Sequence, residues 1–209
     1  MAFRFKFASF AFIGVIVVSG LAASLIWHHH SRPGIELTTG TWLTPSRRLA
    51  EFSLIDQHGR TFGNANLHGR WSVLFFGYTN CPDFCPTTLT TLAAIQKQLR
   101  AAHTVAPQVV FVSVDARRDT PAQLAKYVPY FDPQFIGLTA ADQPGIEAVA
   151  RELGVAVIIQ PGTDGNYTVD HSGALFVVNP EGRLAAILTG PFTVDALRVD
   201  LLRMIAGHA

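Results

Sequence analysis

Trp71-Ser-Val-Leu-Phe-Phe-Gly-Tyr-Thr-Asn-Cys81-Pro-Asp-Phe-Cys85-Pro86 is the stretch on which the reading of this 209-residue chain turns. Its first half, Trp71 to Tyr78, is a continuous apolar run, the pattern of a strand covered on both faces. Its second half holds the only two cysteines, each followed by proline. Proline disfavours the helical region for the residue before it, which places Cys81 and Cys85 outside a helix. Pro86 suits a first helical position, so a helix is expected from Pro86 with Cys85 as the flanking cap residue. Two thiols then share a tight loop between a buried strand and a helix N-terminus. The positive end of the helix dipole stabilises thiolate there, which favours metal binding and redox chemistry alike. Two soft sulfur donors select copper(I) or zinc over magnesium or calcium.

Downstream, Thr87 to Arg100 carries Leu89, Leu92, Ala93, Ile95 and Leu99 at helical spacing, and Val109 to Val114 reads as a second buried strand. Thr120-Pro121 starts another helix, with a side-chain cap and proline at the first position. Phe135 to Leu138 is strand-like and precedes a helix near Ile146 to Leu153. Ala174 to Val178 and Leu184 to Leu188 flank Asn179-Pro-Glu-Gly-Arg183 as a hairpin, and Val194 to Ile205 closes as an amphipathic helix. Upstream, Phe52 to Phe62 alternates about a His58-Gly59 turn, a second hairpin pattern. Strands alternating with helices indicate an α/β sandwich, a mixed sheet with helices on both faces.

The N-terminus differs in kind. Arg4 and Lys6 precede Ala8 to Trp27, which holds no charged residue. Twenty residues at about 1.5 Å rise span about 30 Å, the hydrocarbon thickness of a bilayer. Residues 1–27 therefore read as an uncleaved transmembrane helix, residues 28–45 as a polar linker and residues 46–209 as one domain. The positive-inside rule keeps Arg4 and Lys6 in the cytoplasm and sends the domain to the other side. Sixteen basic against fifteen acidic residues give a formal charge of +1, and no basic concentration points to nucleic acid. Two cysteines exclude a disulfide-rich scaffold but allow one redox or metal pair.

Two thiolates leave a metal ion under-coordinated. Of eight histidines, His171 stands apart, because Tyr167-Thr-Val-Asp170-His171-Ser172-Gly173 leads directly into the apolar strand from Ala174.

Taken together, Gly77-Tyr-Thr-Asn-Cys-Pro-Asp-Phe-Cys-Pro86, Val114-Asp115-Ala-Arg-Arg-Asp119-Thr-Pro121 and Tyr167-Thr-Val-Asp170-His171-Ser172 closely resemble the Sco/SenC proteins, in the right order over residues 48–205. The resemblance implies a thioredoxin-like fold with a single membrane anchor. It also implies a Cu(I) or Cu(II) site made by Cys81, Cys85 and His171. It further implies delivery of copper to the dinuclear centre of cytochrome c oxidase subunit II, or to another copper-accepting protein, at the bacterial inner membrane with the domain on the periplasmic side. Such a protein is a metallochaperone rather than an enzyme. Ala116 and Asn179 depart from the family's usual proline and aspartate, and neither is a proposed ligand.

Four aspartates near these motifs are candidates for bonding a ligand or touching a partner: Asp83, Asp115, Asp119 and Asp170. The rival reading is a membrane-anchored thiol–disulfide oxidoreductase in which Cys81 and Cys85 cycle between dithiol and disulfide. A peroxidase-like sensor leaves His171 without a task, and zinc is the competing ion for a Cys₂His set.

Overall fold

The computed structural model describes residues 35–162 and 166–208. The expected transmembrane helix at 1–27, and linker residues 28–34, lie outside these. Among the described residues no helix is long and apolar enough to cross a membrane.

The apolar run becomes β4, Ser72–Gly77, with all six residues buried. It pairs in parallel with β5, Gln108–Ser113, and antiparallel with β9, Leu175–Val178. On the β5 side follow β6, Ile136–Thr139, and the hairpin of β2, Ser53–Asp56, with β3, Thr61–Gly63. On the β9 side follow β10, Arg183–Leu188, and β1, Gly40–Arg48. The result is an eight-stranded mixed sheet in the order β1-β10-β9-β4-β5-β6-β2-β3. A separate antiparallel ribbon joins β7, Val157–Pro161, to β8, Tyr167–His171.

Alternation along β4 feeds two cores: Val73 and Phe75 enter one, Leu74 and Phe76 the other. The first core is covered by α1, Phe84–Ala101, α2, Pro121–Phe131, and α4, Val194–His208, through side chains such as Leu89, Leu92, Leu124, Val128, Leu197 and Leu201. The second is covered by α3, Gln143–Glu152, through Ile146 and Ala150, and by Val169 of the ribbon. Helices thus lie on both faces, as the alternation of elements indicates. Burying a large apolar side chain contributes about 1.5–3 kcal/mol, so these two cores dominate stability.

Local chemistry sets the ends of several elements. Thr120 caps α2, its hydroxyl accepting from the Gln123 amide at 3.2 Å, with Pro121 at the first position. The hairpin turn after β2 is held by Asp56, whose Oδ1 accepts from the His58 and Arg60 amides at 2.8 and 2.9 Å. Gly59 supplies the positive φ of 78°.

Three strands differ from expectation: β1, β7 and β8. The linker read over 28–45 does not reach residue 46, because β1 begins at Gly40. Its Gly, Thr and Pro content resembles a tether, but this is an edge strand, where proline is tolerated. Trp42 on it packs on Trp71 with ring centroids 6.3 Å apart. The β7–β8 ribbon carries little pattern in its sequence because it has no second buried face: no residue of Val157–Pro161 is buried, and in Tyr167–His171 only Val169 is.

The entering segment is fixed by one buried carboxylate. Asp200 on α4 is fully buried and accepts from the Thr38 amide at 3.0 Å, and from the Thr39 amide and hydroxyl at 2.7 Å each. Asp200→Ala leaves these donors unpaired, and a buried donor without a partner costs about 1–3 kcal/mol. The expected outcome is a drop of that size in chemical-denaturant stability, with faster hydrogen exchange at Thr39. Unchanged stability would show that the carboxylate is dispensable.

Candidate metal centre

The cysteine loop leaves β4 at Gly77. The Gly77 carbonyl accepts from the Val114 amide at 2.8 Å, and the Cys81 amide donates to the Tyr78 carbonyl at 3.2 Å. The helix expected from Pro86 starts two residues earlier, at Phe84, with Asp83 as its cap residue. Pro86 is therefore its third residue, a place where the missing N–H removes no intrahelical bond. Cys85 consequently sits in the first turn of α1 rather than flanking it, while Cys81 stays on the loop. The free Cys85 amide donates to the Cys81 sulfur at 3.4 Å, so Cys81 serves the helix end as a capping side chain does.

Space at the junction is tight. A Cβ on Gly77 would lie 2.9 Å from the Cys85 sulfur and 2.7 Å from Phe111 Cε2. Cys85 is fully buried and Cys81 half-buried.

His171 ends β8 and reaches the same spot. Its Nε2 lies 3.5 Å from the Cys85 sulfur, and donor atoms of Cys81, Cys85 and His171 all fall within 4.8 Å of one another. Its Nδ1 faces the Ser172 carbonyl oxygen at 3.1 Å. A carbonyl only accepts, so Nδ1 carries a proton, and Nε2 is the ring nitrogen turned to the sulfurs. Phe75, Tyr78 and Phe84 surround the imidazole at 6.4, 6.0 and 6.3 Å between ring centroids. Phe84 is 46% exposed, and its ring lies where a Cβ on Gly173 would meet it at 2.5 Å.

The two thiols are electrostatically unequal. Hydrogen bonding from the Cys85 thiol, against the opposing effect of burial and with help from His171, pushes the Cys81 pKa down to about 4. The same bond to Cys81, reinforced by burial, pushes the Cys85 thiol up. The pair therefore holds one proton, on the buried sulfur, and presents a thiolate at the accessible one.

The four aspartates take different places. Asp119 accepts from the Thr79 amide at 2.9 Å and hydroxyl at 2.7 Å, so it pins the loop two residues before Cys81. Its carboxyl is pushed up by burial, against the hydrogen bonds from Ser113 and Thr79. Asp115 accepts from the Tyr167 hydroxyl at 2.7 Å and pairs with Arg118, which ties it to β8. Asp83 is exposed, and its side chain makes no capping bond. Asp170 does not bond His171: it points to the exposed side of β8 and accepts from Gln160 at 3.0 Å. Neighbours on a strand face opposite ways, which is why its adjacency in sequence misleads. The imidazole's actual partner is a main-chain carbonyl, which no residue type announces. Thr79, Phe84, Arg118 and Tyr167 were also not singled out, although each lies within a motif quoted above.

The donor set suits a soft ion. Metal–sulfur bonds of about 2.3 Å and metal–nitrogen bonds of about 2.0 Å place donors about 4 Å apart around a three-coordinate ion. The separations here, up to 4.8 Å, need only a small contraction.

The chain is similar to known proteins over a span that includes these residues. A sequence model described as SCO1/SenC matches residues 43–206. A Stutzerimonas stutzeri protein named as a candidate copper-binding protein is 38% identical over 156 residues, 75% of this chain and 76% of that protein. The mitochondrial SCO1 homolog 1 of Arabidopsis thaliana is 37% identical over 154 residues, which make up 74% of this chain but only 46% of the plant protein. Among solved structures, Arabidopsis thaliana ScoI with copper bound is similar at a TM-score of 0.72 and 36% identity, covering 76% of this chain and 98% of that one.

A thiolate with a pKa of about 4 stays ionised across the neutral range. In the reduced, metal-free protein, alkylation of Cys81 should proceed at nearly the same rate at pH 6 as at pH 8. An ordinary cysteine, with a pKa of about 8.5, loses thiolate on the order of 75-fold over that interval. Peptide mapping should show Cys85 resistant at both pH values. A Cys81 rate that falls like that of the unfolded chain would refute the unequal pair.

Proposed function

The chain belongs to the SCO1/SenC family, and from that premise we propose that it is a copper metallochaperone. It takes Cu(I) or Cu(II) on Cys81, Cys85 and His171 and passes it to the dinuclear copper centre of cytochrome c oxidase subunit II, or to another copper-accepting protein. The observation that carries this reading is the convergence of two sulfurs and one imidazole nitrogen within 4.8 Å, from a strand-to-helix junction and from a ribbon strand whose His171 lies eighty-six residues beyond Cys85. Two thiolates and an imidazole form a donor set that selects soft ions.

The burial of the three ligands suits a carrier. Cys85 anchors from below, while half-buried Cys81 and His171 face the surface, so an incoming donor from a partner meets the accessible sulfur first. Binding displaces the proton held on Cys85, which makes uptake pH-dependent and release favourable as a proton returns. Transfer by ligand exchange then needs no change in the redox state of the thiols.

The domain is held at the bacterial inner membrane by the apolar residues 8–27 and faces the periplasm. The support is the uncharged run behind Arg4 and Lys6.

A second reading, a thiol–disulfide oxidoreductase that keeps partner cysteines reduced, is favoured by one observation. Cys81 is a half-buried thiolate beside a protonated Cys85, the arrangement of an attacking and a resolving thiol.

Anaerobic Cu(I) titration of the reduced full chain in detergent separates the two. The wild type should bind one ion, and Cys81→Ser or Cys85→Ser should abolish stoichiometric uptake. His171→Ala should weaken Cu(I) by more than the roughly 10–100-fold typical of losing an outer hydrogen-bond partner, yet leave disulfide exchange with a small dithiol intact. Absence of Cu(I) binding by the wild type would sink the carrier reading, and preferential uptake of zinc would change its cargo.

A further inference from the structure

The turn from Asp115 to Asp119 binds no ion in the reading above, yet Asp115 and Asp119 are each only 1% exposed. The turn is closed on itself. The Arg118 and Asp119 amides donate to the Asp115 carbonyl at 3.2 and 2.9 Å. The Ser113 hydroxyl accepts from the Asp115 amide at 3.1 Å and donates to Asp119 Oδ2 at 2.6 Å.

From this platform one arm reaches each half of the metal centre. Asp119 holds Thr79 on the cysteine loop. The other arm grips Tyr167, the first residue of β8, whose last residue is His171. The Tyr167 hydroxyl donates to Asp115 Oδ1 at 2.7 Å, and Arg118 Nη1 donates to the Tyr167 carbonyl at 3.0 Å. The Arg118 guanidinium lies 3.7 Å over the Tyr167 ring and 5.7 Å from that of Tyr78, itself edge-on to His171 at 6.0 Å. A stacked, ion-paired guanidinium is a rigid connector.

The grip matters because β8 has no other ladder. Among the described residues it pairs only with β7, outside the eight-stranded sheet. Strand register, which fixes the height of every side chain on β4 or β5, fixes nothing between His171 and the cysteines. Val169 packs into the core, where apolar contact is poor at fixing position along the strand, and its main chain bonds the Tyr78 hydroxyl, a single contact at mid-strand.

We propose that Asp115, Arg118 and Tyr167 form a clasp that sets where His171 stands over the cysteine loop. Tyr167 and Arg118 are thus positioning residues for the third ligand; this rests on the three-ligand reading above. The two arms are separable: the thiols stay pinned through Asp119 when the clasp opens, and the imidazole moves with its ribbon.

The test uses the reduced full chain in detergent, with Cu(I) affinity read by competition against a chromophoric chelator and Cu(II) spectra recorded alongside. Tyr167→Phe removes one oxygen. It should lower Cu(I) affinity about tenfold, the low end for loss of an outer partner, and move the Cu(II) spectrum toward that of His171→Ala. Arg118→Lys should act in the same direction. Combined with His171→Ala, Tyr167→Phe should cause no further loss, because it acts only through the imidazole. Gln160→Ala, on the outer side of the ribbon, should match the wild type. Wild-type affinity in Tyr167→Phe, or the same loss with and without His171, would overturn the clasp. In the metal-free protein, Tyr167→Phe should speed hydrogen exchange of the ribbon amides while leaving β4 and β5 unchanged. Unchanged ribbon exchange would overturn it too, and this readout stands even if the wild type binds no Cu(I).

Discussion

The approach of the Cys85 sulfur to Gly77, where even a methyl group would lie 2.9 Å from it, is the constraint around which the functional end of the molecule is arranged. β4 is covered on both faces, so its carboxyl end emerges at a fixed place between two cores. Ending it in glycine lets α1 begin almost on top of the strand. That closeness buries Cys85 at the helix start and turns its free amide toward Cys81. The thiol pair is thereby tied to a strand buried along its whole length. The carboxyl edge of parallel strands is also where α/β folds gather ligands, and β4 and β5 run parallel here.

Burial then divides the chemistry between the sulfurs. A single proton shared by two thiols goes to the one that would suffer most from losing it. That is Cys85, fully buried and pushed up, while Cys81 keeps the charge at the surface. The same asymmetry serves a carrier and a redox pair, since both need one accessible thiolate and one reserve donor. His171 is what supports the proposed carrier over the redox pair. An imidazole whose Nδ1 is engaged by a carbonyl and whose Nε2 faces both sulfurs is oriented for coordination, and disulfide exchange alone gives it no task.

Much of this was legible from the residues. The apolar run at Trp71–Tyr78 identified the doubly buried strand, and Thr120-Pro121 and Gly59 marked a helix start and a turn because their chemistry is local. The cysteine loop was read in the right place, but the helix start was read two residues late. Proline's effect on its predecessor is a preference, and a helix's first turn absorbs it without losing a bond. β1, β7 and β8 escaped because an edge strand and an isolated ribbon bury too little to show periodicity. The proximity of His171 to Cys85 is non-local, and no spacing encodes it. It became visible through resemblance, and the coordinates supply the geometry. Asp170 shows the limit of adjacency: it neighbours the ligand in sequence and faces away from it in space.

The three candidate ligands differ in how they are held, and the difference follows from topology. Cys85 is carried by α1 against β4, and Cys81 by a loop whose Thr79 is pinned to a buried carboxylate. Both inherit the rigidity of the eight-stranded sheet. His171 inherits only that of a two-stranded ribbon, and an isolated hairpin is marginally stable by itself. Its position must come from side chains, and the polar grip on its first residue comes from the turn that also braces the cysteine loop. A centre built wholly on the sheet would hold an ion well and surrender it slowly. One with a single ligand on a separately anchored ribbon keeps two strong donors fixed and leaves the third free to exchange. On the proposed carrier function, retention falls to the sheet-borne sulfurs and release to the ribbon-borne imidazole.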